Sequence, residues 1–190
     1  SILDLYRSNG FRDVQVAATT LDDYRGREAN LGVRYEIEEG KQSIVNQLEI
    51  EGVSPGDEAY LRTIIRSSAE QAFSEASIAA DRDAILAYFF NNGYSEASFD
   101  WSQTPSGIAN RENLHYTVQL GQREYVRDLL VRGLQTTRPN VVLNRILIPP
   151  GDPISQSLIG ETQQQLYAIG IFSTVQTTRK NTDGNAELLE

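Results

Sequence analysis

The sequence has no cysteine and no methionine among its 190 residues, and only one histidine and one tryptophan. Without cysteine there is no disulfide, no thiolate nucleophile and no cysteine metal site. No apolar run approaches the roughly 18 residues that a membrane-spanning helix needs, which excludes such a helix. Because methionine is absent even from the first position, we expect the sequence to be a piece of a longer chain.

Positive charge is also scarce. The formal net charge at pH 7 is −9, and the whole excess of acidic residues falls in residues 1–121. An acidic surface repels nucleic-acid phosphates and anionic lipid head groups. We therefore expect no nucleic-acid partner.

The residues that catalysis would require are sparse. His115 lies in a predicted strand whose apolar residues are its neighbours, so its side chain is predicted to face solvent. The sequence contains no nucleophile-elbow, zinc-protease or phosphate-loop motif. Asp81 and Asp83 are predicted on a helix surface. These patterns predict a protein that is not an enzyme and that has no cofactor and no metal ion.

The most informative feature is an internal repeat. Gly40 and Gly52 bracket an apolar-rich segment that superposes without a gap on the segment between Gly121 and Gly133. The upstream Val33-x-Tyr35-x-Ile37 likewise recurs as Leu114-x-Tyr116-x-Val118. A fixed period of this length indicates tandem copies of one small domain. Tyr35 and Tyr116 are predicted to be core or half-buried strand residues.

Residues 41–121 are predicted to form one complete module in the order strand, helix, helix, strand, strand. The predicted elements are a strand at 42–51, a helix that begins at Ser54-Pro55, a second helix at about 75–91, and strands at 94–103 and 111–120. Three strands covered on one side by two helices form a two-layer α+β domain. Each module is thus predicted to have a three-stranded mixed sheet with two helices on one face.

The flanking residues are predicted to be partial modules. Residues 1–40 would hold only a helix end and the closing hairpin. Residues 122–190 would hold a module that lacks most of its last strand, with a second helix at about 154–168 and a strand at 171–180. Because Gly40-Lys41 and Gly121-Gln122 leave almost no linker, we expect limited bending between modules.

The arrangement resembles POTRA (polypeptide-transport-associated) domains of the BamA/TamA outer-membrane assembly family. The motifs that carry the resemblance are Asn92-Gly93-Tyr94, Asn9-Gly10-Phe11 and the segment from Leu166 to Phe172. It covers essentially the whole chain. The third module departs from the pattern in its shorter second helix, and the second module in its polar segment 67–71.

The resemblance implies a scaffold and chaperone-like receptor at the periplasmic face of the outer membrane. Its implied partners are unfolded outer-membrane polypeptides and accessory lipoprotein subunits, and a β-barrel would follow in the full-length protein. Binding would occur by strand addition to the exposed sheet edge after the second helix. That candidate edge contains Tyr94, Ser95, Glu96, Ala97, Ser98, Phe99, Asp100 and Trp101. For Trp101, packing in the core and contact with a peptide both stay open.

Two other functions are possible on the same fold. One is the POTRA region of a two-partner secretion transporter, although such transporters typically carry two modules. The other is a structural adaptor of an envelope complex, which the number of repeats disfavours.

Overall fold

The computed structural model of the chain describes residues 1–22, 24–26, 29–134, 137–172, 174–177, 179–181 and 186–189. The elements are α1 (Ile2–Ser8), β1 (Gln15–Leu21), β2 (Gly32–Glu38), β3 (Ile44–Glu51), α2 (Pro55–Ile64), α3 (Glu75–Asn91), β4 (Ser98–Pro105), β5 (Arg111–Gln119), β6 (Tyr125–Leu129), α4 (Pro139–Leu143), α5 (Gln156–Ala168), β7 (Arg179–Asn181) and β8 (Ala186–Leu189). Among these described residues, no helix is both long and apolar enough to cross a membrane.

The strands form one two-stranded sheet and two three-stranded sheets. β1 and β2 pair as an antiparallel hairpin in which Gln15 lies opposite Glu38. The second sheet has the order β3-β5-β4, with β3 parallel to β5. The third has the order β6-β8-β7, with β6 parallel and β7 antiparallel to β8. The predicted α+β class with three-stranded mixed sheets is confirmed.

Local sequence signals set the helix starts. The Ser54 hydroxyl accepts a hydrogen bond from the Asp57 N–H at 3.2 Å and Pro55 occupies the first turn of α2. The Ser155 hydroxyl accepts from the Leu158 N–H at 3.3 Å at the start of α5. Each side chain satisfies a backbone donor that has no partner inside its helix.

The strand predicted at 171–180 is wrong over most of its length, because the structure assigns β7 only to Arg179–Asn181. The Tyr167 hydroxyl accepts from the Val175 N–H at 3.0 Å and donates to the Val175 carbonyl at 3.1 Å. A side chain thus uses both backbone groups that strand pairing would need. Residues 173 and 178 of the predicted strand lie outside the described residues.

The chain divides into two compact units. One contains residues 1–83 and 100–117, and the other contains residues 84–99 and 118–190. Neither boundary coincides with Gly40 or Gly121. The modules 1–40, 41–121 and 122–190 therefore stay a prediction from the sequence.

Each unit has its own buried apolar residues. Those of the first are Val14, Val45, Leu48, Ile50, Leu61, Phe73, Ile78, Leu114 and Tyr116. Those of the second are Ile85, Phe89, Ala97, Val118, Val126, Val142, Ile148, Ile154 and Leu166, with Val126, Ile148 and Ile154 in one cluster. The alternating burial along β5 follows the alternation in its sequence.

The hairpin of β1 and β2 differs from this pattern. Tyr35 is 53% exposed, whereas Tyr116 at the equivalent repeat position is fully buried. The prediction of a core or half-buried position is confirmed for Tyr116 and wrong for Tyr35. In the part of the chain that the structure describes, β1 and β2 form a sheet of two strands, and so small a sheet leaves the same apolar pattern in contact with solvent.

Candidate peptide-binding edge

β4 lies at one edge of the second sheet, because β5 separates it from β3. Of the eight candidate residues, Ser98, Phe99, Asp100 and Trp101 lie in this strand, and the other four precede it. The Ala97 N–H donates to the Tyr94 carbonyl at 3.2 Å, which closes a turn there. The predicted strand at 94–103 thus begins at Ser98, and the edge extends to Pro105.

The backbone of β4 presents alternate N–H groups to its two sides. The Trp101 N–H donates to the Asp100 Oδ1 at 3.0 Å, and the Ser106 N–H donates toward β5, to the Arg111 carbonyl at 3.2 Å. Because backbone groups alternate along a strand, Trp101 and Gln103 direct their N–H and C=O groups away from β5. Pro105 belongs to the same outward row, where a missing N–H costs no pairing with β5.

The opposite edge of the same sheet is partly covered. In β3, the Val45 N–H donates to the Gln71 carbonyl, and the Val45 carbonyl accepts from the Glu70 N–H, both at 2.8 Å. The Arg62 guanidinium donates to the Leu48 carbonyl at 3.1 Å. A strand approaching β3 would have to displace these partners, so β4 is the more accessible edge.

Aromatic side chains lie beside the edge. The ring centroids of Trp101 and Phe73 are 6.2 Å apart with their planes tilted by 51°. Phe73 is buried, whereas Trp101 remains 37% exposed. Trp101 therefore packs on a core residue and also keeps a surface for an incoming side chain. Arg12 extends this side of the edge, with its guanidinium carbon 5.0 Å from the Phe73 ring centroid.

Two of the four candidate residues before β4, Tyr94 and Ser95, contact the segment that leads into β6. The Ser95 hydroxyl donates to the Glu124 carboxylate. The Arg123 guanidinium carbon lies 5.6 Å from the Tyr94 ring centroid. Ala97 is buried. The structure thus places Ser98–Trp101 on the edge, and it places Tyr94 and Ser95 at a contact with the following segment.

His115 is held on the sheet face opposite Tyr116. Its Nδ1 lies 3.1 Å from the Glu49 carboxylate and its Nε2 lies 3.2 Å from the Thr104 hydroxyl. In the part of the chain that the structure describes, no group of three or more His, Cys, Asp or Glu side chains could hold a metal ion.

The predicted surface position of Asp81 is wrong, because this carboxylate is fully buried. It accepts hydrogen bonds from the Arg66 N–H at 2.6 Å, the Ser67 N–H at 3.0 Å and the Tyr116 hydroxyl at 2.8 Å. Burial raises the pKa of the Tyr116 phenol, so the hydroxyl stays protonated and donates to Asp81. Three donors satisfy the carboxylate, which makes it a structural tether between α3, β5 and the segment after α2.

Comparison with known proteins relates this fold to a family. Residues 43–121 match the POTRA family model, described as "Surface antigen variable number repeat". An outer membrane protein assembly factor BamA from Nitratidesulfovibrio vulgaris (strain Hildenborough) is 24% identical over 174 residues, which are 90% of this chain and 22% of that protein. The chain therefore spans about a fifth of the length of this relative.

Solved structures show the same fold. The crystal structure of Haemophilus influenzae BamA POTRA3-5 superposes with a TM-score of 0.60 at 20% identity, covering 98% of this chain and 74% of that one. BamA from Haemophilus ducreyi lacking POTRA domains 1-3 superposes with a TM-score of 0.63 at 18% identity, covering 77% of this chain and 28% of that one.

Proposed function

From the premise that residues 43–121 form a POTRA domain, we propose that this chain is a periplasmic part of an outer-membrane protein assembly factor. In this proposal it receives unfolded outer-membrane polypeptides as extended strands added to β4. The proposal rests on the side of β4 that faces away from β5. On that side, the described hydrogen bonds give the Trp101 N–H one acceptor, the side chain of neighbouring Asp100. The matching relative that is named for outer-membrane protein assembly supports outer-membrane polypeptides as the bound molecules.

Strand addition suits a receptor for many clients. Main-chain hydrogen bonds supply affinity that depends little on the client's sequence, and side-chain pockets beside the edge supply preference. Trp101 offers an apolar surface on the side where Phe73 supports it. We also propose accessory lipoprotein subunits as partners, because the family relationship implies them. The role involves no chemical reaction, because hydrogen bonds and apolar contacts hold a bound strand.

The experiment is a titration of the isotope-labelled chain with an extended peptide from an outer-membrane barrel protein. We expect the largest amide shifts along residues 98–105, with smaller shifts along α3. Largest shifts in β1–β2 or in α5, or no shifts at about millimolar peptide, would contradict strand addition at β4.

One substitution tests the backbone contact directly. Gln103→Pro removes an N–H on the outward row while leaving the inward groups of β4 in place. We expect about tenfold weaker peptide binding, since one lost hydrogen bond and the added ring cost about 1.4 kcal/mol. Gln103→Ala is the matched control, because it removes the same side chain and keeps the N–H. Equal affinities for the two variants would show that the peptide binds elsewhere.

A further inference from the structure

One face of β4 carries both an aromatic and a cationic group. Trp101 and Gln103 lie two residues apart, so their side chains share one face of the strand. Trp101 packs against Phe73 with the ring centroids 6.2 Å apart. The Arg12 guanidinium donates to the Gln103 Oε1 at 3.4 Å, and its carbon lies 5.0 Å from the Phe73 ring centroid. These four side chains form one group beside the edge, which we name the Arg12 cluster.

Arg12 brings a positive charge that a ligand can reach. The residue is exposed, and none of the ion pairs among the described residues involves it. Four other charged residues line the cleft beside it, namely Asp4, Arg7, Asp13 and Glu75. Among the described contacts of these five residues, only that of Arg12 reaches β4. A carboxylate brought to Gln103 would therefore meet a guanidinium, which binds carboxylates through paired hydrogen bonds.

A strand added to β4 would place its side chains on this cluster at a fixed spacing. Trp101 and Gln103 direct their backbone groups outward, so each would form a hydrogen-bonded pair with one residue of an antiparallel strand. Directly paired residues have their Cβ atoms about 4.5–5.5 Å apart on the same face. The residue paired with Trp101 would thus lie against a ring that is 37% exposed. The residue paired with Gln103 would lie beside Arg12.

We infer that the Arg12 cluster selects strands that carry an acidic residue two positions before an aromatic one. The inference rests on the proposed addition of strands to β4, and it names the class of sequence that this edge prefers. The aromatic residue would pack on Trp101, and the carboxylate would bind the Arg12 guanidinium. Asp100 lies on the opposite face of β4, because it precedes Trp101 by one position. A carboxylate of the added strand on that face would meet a like charge.

The test is a titration of the isotope-labelled chain with end-blocked threonine peptides of eight residues. One peptide carries Glu-Thr-Phe at its centre, and three variant peptides carry Gln-Thr-Phe, Lys-Thr-Phe or Thr-Glu-Phe there. In the last variant Glu and Phe fall on opposite faces, so one strand cannot bring both to the Arg12 cluster. Amide shifts along residues 98–105 give the dissociation constants.

We expect the Glu-Thr-Phe peptide to bind about threefold more tightly than the Gln-Thr-Phe and Thr-Glu-Phe peptides, because an exposed ion pair adds a modest attraction. The Lys-Thr-Phe peptide should bind most weakly. About 0.5 M sodium chloride should remove the preference by screening. Arg12→Gln should also remove it, whereas the matched control Arg34→Gln should keep it. Arg34 is an exposed residue of β2, so its replacement changes the net charge equally.

Equal dissociation constants for the Glu-Thr-Phe and Gln-Thr-Phe peptides, with shifts along residues 98–105, would overturn this inference and leave strand addition to β4 intact. A preference that survives Arg12→Gln would overturn it as well. So would tighter binding of the Lys-Thr-Phe peptide, because the carboxylates of the cleft would then set the preference. Absence of shifts along residues 98–105 with every peptide would instead overturn the proposed function, and this inference with it.

Discussion

Asp81 illustrates how a single buried carboxylate organises its unit. The same offset that relates Gly40 to Gly121 relates Asp81 to Thr162, whose hydroxyl accepts from the Leu147 N–H at 3.1 Å. Asp81 ties the segment between α2 and α3 to α3, and Thr162 ties the segment between α4 and α5 to α5. Equivalent positions of the sequence repeat therefore satisfy the backbone with different residues, an acid with three donors and a hydroxyl with one.

We predict that Asp81→Ala lowers the free energy of unfolding by about 2–4 kcal/mol, because two backbone N–H groups and the Tyr116 hydroxyl lose their buried acceptor. Chemical denaturation followed by Trp101 fluorescence measures the change. Asp83→Ala is the control, since the Asp83 side chain is 69% exposed in a pair with Arg82, and we expect it to cost less than about 0.5 kcal/mol. Similar losses of unfolding free energy in both variants would contradict the structural role of the Asp81 carboxylate.

The position of Asp81 could have been predicted from spacing. It follows Ile78 by three positions and precedes Ile85 by four, which puts all three on one helix face. The partners could not have been predicted, because the Arg66 and Ser67 N–H groups come from an irregular segment without a sequence period. Periodicity thus locates a buried polar side chain, and only the tertiary structure shows what satisfies it.

At the scale of elements, the strands and helices with strong periodicity were predictable, and the short connections were not. The alternation of Leu114, Tyr116 and Val118 gives β5 directly. The start of β4 at Ser98 depends on the turn at Tyr94–Ala97, whose Ser95 side chain bonds Glu124 far along the chain. A contact of that range leaves no local pattern.

The turns that follow α1 and α3 make the same backbone contact with the next strand. The Gly10 carbonyl accepts from the Ser43 N–H at 2.8 Å, and the Gly93 carbonyl accepts from the Glu124 N–H at 2.7 Å. The second contact, the joint at Gly93, gives a prediction for this scale. Gly93→Ala should weaken the bond between the Gly93 carbonyl and the Glu124 N–H, because the added Cβ would lie 2.6 Å from the Glu124 oxygen. We expect the Glu124 amide to exchange its hydrogen at least about tenfold faster, measured by NMR.

Gly107→Ala is the matched control for that experiment. Gly107 has a φ of 81° and nothing within 4 Å of a Cβ, so it shares the backbone strain and lacks the contact. Unchanged Glu124 exchange in Gly93→Ala, or the same acceleration in Gly107→Ala, would show that the joint does not depend on the close approach.

At the scale of the whole chain, the β1–β2 hairpin and the sheet that contains β5 have unequal protection from solvent. Val33, Tyr35 and Ile37 on β2 are exposed, whereas their repeat equivalents Leu114, Tyr116 and Val118 on β5 are buried. Identical patterns therefore have different energies in different surroundings, because burial supplies most of the stability of a short strand. The sequence predicts which residues share a face, and the neighbouring elements decide whether that face is covered.

This difference in burial predicts that the β1–β2 hairpin opens locally more often than β5. We expect backbone amides of the β1–β2 hairpin to exchange at least about 100-fold faster than those of β5, because few apolar contacts resist opening of the hairpin. Hydrogen exchange followed by mass spectrometry or NMR gives both rates in one sample. Comparable protection in the two sheets would mean that the hairpin is stabilised by contacts beyond those described.

The glycine turns after α1 and α3 have a consequence for how such a chain changes over evolution. In each turn the glycine carbonyl accepts from a backbone N–H, and the carbonyl of the preceding asparagine accepts from the side chain of Gln42 or Arg123. A duplicated repeat unit thus carries both halves of this contact, a glycine turn and a pair of donors. Duplication or loss of a repeat unit would therefore keep this backbone contact, whereas any side chain at the turn glycine would break it, because a Cβ at Gly10 or Gly93 lies 2.5 Å or 2.6 Å from a carbonyl oxygen.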